Sequence, residues 1–166
     1  QMRADKGISI AAAGDITLLG RASGDEPAPQ ARLDAGSAEL RVNSTQQLNL
    51  ADAQLRSQGD MSLTAHALRS QGMDAVAEGA LRIRASTARN NADQAQVSRY
   101  QGSEMNVAVD GNISDIGTSY LSTTGMTRIT AQSHDLKATA DKSREGTSQA
   151  KVGAIAGAGG VDVQLK

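Results

Sequence analysis

The amino-acid sequence predicts an all-β fold, a right-handed parallel β-helix (β-solenoid) with about 20–23 residues per rung. Apolar Met61 and Leu63 alternate with polar side chains, and Leu81 and Ile83 do so again one repeat later. A period of two within each phrase predicts a strand with one buried face, and repetition of whole phrases predicts a solenoid. Two tyrosines are the only aromatic residues. Since aromatic side chains usually fill globular cores, their scarcity favours a narrow aliphatic core.

Composition limits the classes of partner. The 166 residues carry 17 basic and 18 acidic side chains, so no overall field attracts nucleic acid or an anionic membrane. Cysteine is absent, which excludes disulfides and thiolate metal sites. The longest apolar run, residues 152–161, is too short to cross a bilayer, so we expect no membrane insertion. The chain opens at Gln1 without a leader-like pattern, and we expect it to be part of a longer protein.

The first element is a pair of short strand phrases within residues 1–20. Gly7 and Gly14 each precede an apolar–polar–apolar triplet, the minimal pattern of a half-buried strand. Residues 21–32 break this pattern with Pro27 and Pro29, which cannot donate to a β-ladder. We predict a loop insertion at 21–32 that leaves the stack.

The repeat resumes after this loop. Glycines open the successive strand phrases at an interval of roughly 20–23 residues. These glycines are Gly14, Gly36, Gly59, Gly79, Gly102 and Gly125. Glycine at corners supplies the positive φ that other residues reach only with strain. This spacing predicts β-helix repeats over residues 1–138.

Three further segments depart from the alternation. Residues 86–101 are predicted to be a polar insertion, either a loop or a protruding pair of polar strands. Residues 139–151 are polar and predicted to be flexible. Residues 152–166 form a Gly/Ala/Val strand segment, which we expect to continue into chain beyond this sequence.

Several phrases resemble the haemagglutinin repeats of filamentous haemagglutinin and of contact-dependent growth-inhibition exoproteins. These phrases are GDITLLG, GDMSLTA, GNISDIG and GMTRITAQSHDLKATADKS, followed by a Gly-Ala-Val ending at residues 138–163. The resemblance covers about residues 7–165. It implies a parallel β-helix within a long extracellular fibre, secreted and held at the bacterial cell surface. It also implies export through an outer-membrane transporter (two-partner secretion).

The residues predict no catalytic, cofactor-binding or metal site, and therefore no enzyme. His66 and His134 lie far apart in the sequence, each without a carboxylate at motif spacing, so we expect solvated or ladder-facing rings. No nucleophile-elbow, zinc-protease or phosphate-loop spacing occurs. Asp15 and Asp60 follow glycines, where a carboxylate typically accepts hydrogen bonds from nearby backbone N–H groups.

Four arginines, Arg82, Arg84, Arg89 and Arg99, are the candidate contacts for a glycan or another partner. Arg82 and Arg84 share the outward side of one predicted strand, and the other two flank the 86–101 insertion. Guanidinium groups bind sulfate and phosphate oxygens through paired hydrogen bonds. The alternative interpretation is a solvated charged face that prevents lateral aggregation.

Two functions remain open from the sequence. The first is a non-enzymatic structural or adhesive segment that presents binding and effector modules to a receptor or glycan on host or neighbouring cells. The second is a carbohydrate-binding or polysaccharide-cleaving β-helix. Cleavage requires converging carboxylates and is helped by a tyrosine on which a sugar can stack.

Overall fold

The computed structural model describes residues 1–20, 31–91, 97–142, 148–151 and 153–166. No described segment is a helix of the length and apolarity needed to cross a membrane. The described strands are β1 (Met2–Arg3), β2 (Ile8–Ala12), β3 (Ile16–Leu19), β4 (Ala31–Asp34), β5 (Leu40–Ser44), β6 (Gln47–Ala51), β7 (Ala53–Ser57), β8 (Met61–Gln71), β9 (Asp74–Ala77), β10 (Leu81–Asn91), β11 (Ser98–Gly102), β12 (Met105–Val109), β13 (Asn112–Ile116), β14 (Thr118–Ser122), β15 (Thr127–Ala131), β16 (Ser133–Lys137), β17 (Thr139–Lys142), β18 (Ser148–Lys151), β19 (Ile155–Gly157) and β20 (Val161–Leu165).

The strands wind into a parallel β-solenoid with three faces. The first face stacks β2, β5, β8, β10, β12, β15 and β20 in that order, using the first halves of β8 and β10. The second face stacks β3, β6, the second halves of β8 and β10, β13 and β16. The third face stacks β1, β4, β7, β9, β11, β14 and β19. The predicted all-β solenoid is confirmed.

The register gives the length of a turn directly. Successive turns place ladder partners one above another on the first face: Leu40, Met61, Leu81, Met105 and Thr127. Their numbering shows that a turn takes roughly 20–24 residues, within the range of solenoid repeats. Each step keeps side-chain direction, so every inward position faces the same core column. The column at this position is buried from Leu40 through Thr127.

The core is narrow and largely aliphatic. Inward columns contain Leu, Ile, Val, Met and Ala, as the composition predicts. Both tyrosines are also buried, with Tyr100 at 0% and Tyr120 at 1% exposure. Their rings stack with centroids 5.4 Å apart and planes 8° from parallel, since Tyr100 and Tyr120 are ladder partners on the third face.

One corner of the solenoid, between the second and third faces, is closed by a single left-handed residue on three turns. Asp52, Gly72 and Gly117 occupy equivalent positions there, with φ of 48°, 56° and 59°. Glycine adopts this conformation freely, and Asp is among the few other residues that tolerate it. A sharp bend at this corner thus selects the residue type.

Three of the connections between described strands of the second and third faces are longer than at this tight corner. They join β3 to β4, β10 to β11 and β16 to β19, at the corner where the turns with Asp52, Gly72 and Gly117 have one left-handed residue. Most of the predicted loop at 21–32 lies outside the described residues, whereas Ala31 and Arg32 belong to β4. The corner can therefore accept additional chain without changing the register of the faces.

The structure narrows the predicted 86–101 insertion. Residues 87–91 pair with β8 inside the coil and 98–101 belong to β11, so both ends of the predicted insertion are part of the ladders. Polar residues belong in the coil here because Asn90 is hydrogen-bonded within the core. The segment predicted to be flexible contains β17 and β18, which form an antiparallel hairpin. Beyond it, β19 and β20 rejoin the third and first faces.

Candidate functional site

The four candidate arginines lie on three different faces. Arg82 and Arg84 point outward from the first face, Arg89 lies on the second and Arg99 on the third. A corner of the solenoid separates Arg84 from Arg89, and the 92–97 corner separates Arg89 from Arg99. The four side chains therefore do not form one cluster, and their role as contacts for a glycan or another partner stays a prediction.

Arg82 and Arg99 are held by carboxylates of the preceding turns. Arg82 Nη1 lies 2.7 Å from Asp60 Oδ2, and Asp60 Oδ1 accepts a hydrogen bond from the Ala80 N–H at 2.9 Å. The hydrogen bond from Arg82 lowers the pKa of Asp60. Arg99 Nε lies 2.8 Å from Asp74 Oδ1, and Arg56 binds the other oxygen of the same carboxylate. Both arginines thus form ion pairs that link their own turn to the preceding one.

Asp74 joins three successive turns through this pair of arginines. Burial raises the pKa of Asp74, but the hydrogen bonds from Arg56 and Arg99 outweigh burial and leave that pKa below its ordinary value. The carboxylate is consequently charged at neutral pH, where it bridges the two guanidinium groups.

A groove with a volume of about 450 Å³ lies on the second face. It runs along the outward side of β3, β6, β8 and β10, next to the corner from which the insertions leave. No acidic side chain is among the described residues that line it. The lining side chains that matter for recognition are Thr17, Leu19, Asn49, Arg69, Gln71, Arg89 and Asn91.

Two arginines stack directly in this groove. Arg69 and Arg89 are ladder partners, so their Cα atoms are separated by about 4.8 Å, the spacing of neighbouring strands. Both side chains are exposed, and neither forms an ion pair with another described residue. Like charges at directly paired positions repel each other, and an anion bound between them would relieve that repulsion.

Asn91 adds an unused acceptor to the groove. Its Oδ1 is buried and has no hydrogen-bond partner among the residues the structure describes. A buried carbonyl oxygen without a donor is destabilising, and native structures contain few of them. Among the described residues, the groove is thus lined by two guanidinium groups without an ion-pair partner and by Asn91, whose buried Oδ1 has no donor.

A second polar cluster, the buried polar network, lies inside the core behind this groove. Asn90 donates to Asp115 Oδ1 at 2.7 Å and to Tyr120 Oη at 2.9 Å, and Tyr100 Oη lies 2.9 Å from Asn90 Oδ1. His134 Nε2 lies 2.6 Å from Asp115 Oδ2. The members of the network are Ser70, Asn90, Tyr100, Asp115, Tyr120 and His134.

The buried polar network is closed to solvent. The side chains of Asp115 and His134 are 0% and 5% exposed. Burial raises the pKa of Tyr100 and of Tyr120, so both phenols keep their protons as hydrogen-bond donors. Neither tyrosine can stack a sugar ring from solution. The network is a hydrogen-bonded part of the core and offers no surface to a ligand.

His134 is a correction to the sequence prediction. We expected a solvated or ladder-facing ring without a carboxylate partner, and the structure buries it against Asp115 and edge-on to Tyr120. Asp115 comes one turn earlier in the chain. Side chains that contact each other in this fold are therefore about one turn apart in the sequence, which is farther than the spacing of a short sequence motif. His66 is exposed, as expected.

The same coil spacing is the signal that would have identified Arg69. Arg69 and Arg89 are separated by the same interval as Gly59 and Gly79, which open successive strand phrases.

Comparison of the chain with protein-family models, with curated proteins and with solved structures finds no match. The groove is accordingly interpreted from its own residues.

Proposed function

We propose that this chain is a non-enzymatic structural and adhesive segment of a large secreted bacterial surface fibre. The observation that supports it best is the exposure of inward apolar side chains at the two ends of the coil. Five of the exposed large apolar side chains occupy inward positions of terminal strands: Met2, Leu136, Val161, Val163 and Leu165. Their ladder partners in the adjacent turn are all buried.

These ends have the surface chemistry of an interrupted solenoid. By contrast, inward side chains with a turn on either side, such as Val42, Leu63 and Ile83, are buried. The end strands present unpaired backbone groups. In this proposal, further coils of the fibre cover both ends. The stack then acts mechanically, because every added turn lengthens it by about 4.8 Å and carries binding or effector modules outward.

Self-association tests the structural part of this proposal. The isolated chain is expected to associate end to end as its concentration rises, measured by sedimentation velocity. The variant Val163→Lys places a charge on the exposed inner face of β20 and should abolish association. Gln164→Lys, on the outward side of the same strand, is the matched control and should keep it. A chain that stays monomeric at every concentration contradicts the proposal.

The adhesive part is tested by attachment of the labelled chain to host and bacterial cells. Saturable attachment at physiological salt is expected, since screening there removes attraction that depends only on long-range surface charge. Attachment that disappears between low and physiological salt contradicts an adhesive role and leaves a structural one. The proposed export route predicts surface exposure that requires an outer-membrane two-partner-secretion transporter.

Polysaccharide cleavage is the less favoured alternative. The two tyrosines lie in the core, and no acidic side chain is among the described residues lining the groove. The described lining of the groove thus lacks the features expected of a cleaving site. Carbohydrate binding without cleavage is compatible with the same surface.

A further inference from the structure

We propose that the groove on the second face binds a saccharide that carries a sulfate or phosphate group. This inference rests on the proposed adhesive role and names the chemical class of ligand. Arg69 and Arg89 supply the charge. They stack as ladder partners in a groove whose described lining has no acidic residue.

Guanidinium geometry selects the anionic group. Each guanidinium group offers a planar fork of N–H donors that matches two oxygens of a sulfate or phosphate. Two forks stacked at adjacent strands can bind one tetrahedral oxyanion from two sides. The anion also relieves the repulsion between the two cations, so binding and local stability are coupled.

The remaining polar groups indicate a saccharide and not a bare anion. Asn91 Oδ1 lacks a donor among the described residues, and a sulfate ion has no hydrogen to give it. A sugar hydroxyl can donate to Asn91 once the terminal amide rotates about χ2, a broad torsion. The exposed side chain of Gln71 offers further donors and an acceptor to neighbouring hydroxyls.

Leu19 provides the apolar contact that a sugar ring needs. Its side chain is 61% exposed and lies at the edge of the groove, on an outward position of β3. The other large exposed apolar side chains occupy inward positions of terminal strands, so Leu19 is exposed for a different reason. Burial of Leu19 against the C–H face of a sugar would remove apolar surface from water.

The decisive experiment measures binding of three probes to the full 166-residue chain by calorimetry at about 0.15 M salt. The probes are a sulfated hexasaccharide, its desulfated counterpart and an oligosaccharide carrying mannose 6-phosphate. The double variant R69Q/R89Q should bind the charged probes about tenfold to a hundredfold more weakly, as expected for charge-assisted hydrogen bonds. The matched double variant R41Q/R128Q removes the same charge from exposed side chains of the first face and should bind within about twofold of wild type.

Two further comparisons test the contact with Asn91 and the identity of the anionic group. N91A should weaken the charged saccharides several-fold while leaving inorganic sulfate unchanged. Preference between the sulfated and the phosphorylated probe identifies the source of the anionic group. Equal loss in both arginine double variants would overturn the groove as the site, because only total charge would then matter. If R69Q/R89Q attaches to cells as well as wild type does, the groove is rejected as the site but the adhesive role is preserved. If wild type itself does not attach, the adhesive role is rejected.

Discussion

At the scale of single residues, one inner column changes from aliphatic to polar side chains and back. Along the second face it contains Leu18, Leu50, Ser70, Asn90, Asp115 and Leu136. The polar members are buried, and the two tyrosines of the third face reach across the core to bond with them. Buried polar groups are tolerated when fully bonded, and such networks gain strength in a low-dielectric interior.

The Asp115–His134 pair should be coupled energetically. Asp115→Asn and His134→Gln each break the 2.6 Å contact, so we expect each to destabilise the chain while the double variant destabilises less than their sum. A coupling energy of about 1 kcal/mol or more is expected for contacting residues in a double-mutant cycle by urea unfolding. The control cycle, Asp110→Asn with His66→Gln, uses exposed residues and should be additive. Additivity at Asp115 and His134 would mean that the pair contributes nothing specific.

Asp74 should give the chain a pH-dependent increment of stability. Its folded-state pKa lies below the unfolded value, so the ionised carboxylate favours folding above about pH 4, and this contribution is lost as pH falls through the folded pKa. Asp74→Asn should therefore lower the free energy of unfolding by about 1 kcal/mol at pH 7, discounted for partial exposure of the arginines. The difference from wild type should shrink at pH 3. A difference that is constant with pH, or an equal effect in Asp110→Asn, would contradict this assignment.

At the scale of elements, strands of the second and third faces are joined at a tight corner by a left-handed residue. Asp52, Gly72 and Gly117 are conformationally equivalent, although one is not glycine. Asp52 and Gly117 each join a second-face strand directly to a third-face strand. Gly72 does the same together with one further residue, Met73, between β8 and β9. The corner residue thus sets the register between faces, and side chains on both faces depend on it.

Gly117→Ala should destabilise the coil by about 1–2 kcal/mol, because Ala at φ 59° meets steric conflict that glycine avoids. Gly14→Ala is the matched control: a Cβ there has no heavy atom within 4 Å, and Gly14 is not among the glycines with positive φ. The control should change stability by no more than a few tenths of a kcal/mol. Urea unfolding of both variants by circular dichroism makes the comparison. Equal effects would show that the corner does not require a left-handed residue.

At the scale of the whole molecule, the groove lies along the edge of the solenoid at which the three longer connections begin. The groove is bounded by Leu19, Gln71 and Asn91, which precede the corner on three turns. Two of these longer connections therefore begin next to the groove, after Leu19 and after Asn91. Loops carried by a rigid scaffold are where binding residues commonly occur.

Replacement of residues 92–97 by one glycine should preserve the fold. The new corner would match Gly72 and Gly117, and a shorter loop leaves less closure entropy to overcome. We expect a urea midpoint equal to or above that of wild type and an unchanged far-ultraviolet spectrum. Replacement by one alanine is the control and should be less stable than the glycine version by about 1 kcal/mol. Loss of structure in the glycine version would mean that 92–97 is required for the coil.

Much of the architecture was predictable because a solenoid repeats its own local pattern. The alternation at Met61–Ala65 and the regular spacing of the glycines are written in the sequence, and the observed turns agree closely with that spacing. The groove was only partly predictable. Arg89 was a candidate, but Arg69 was missed because its significance depends on stacking with a residue one turn later.

The sequence by itself determined the fold class, the narrow aliphatic core and the approximate coil length, since period-two burial and repeated turns are local properties. Only the tertiary structure decided which residues meet between turns. Register brings Arg69 to Arg89 and Asp115 to His134, and it separates the four predicted arginines onto three faces. Each of these contacts joins residues about one coil apart, and a shift of one residue would turn the side chains to the opposite face.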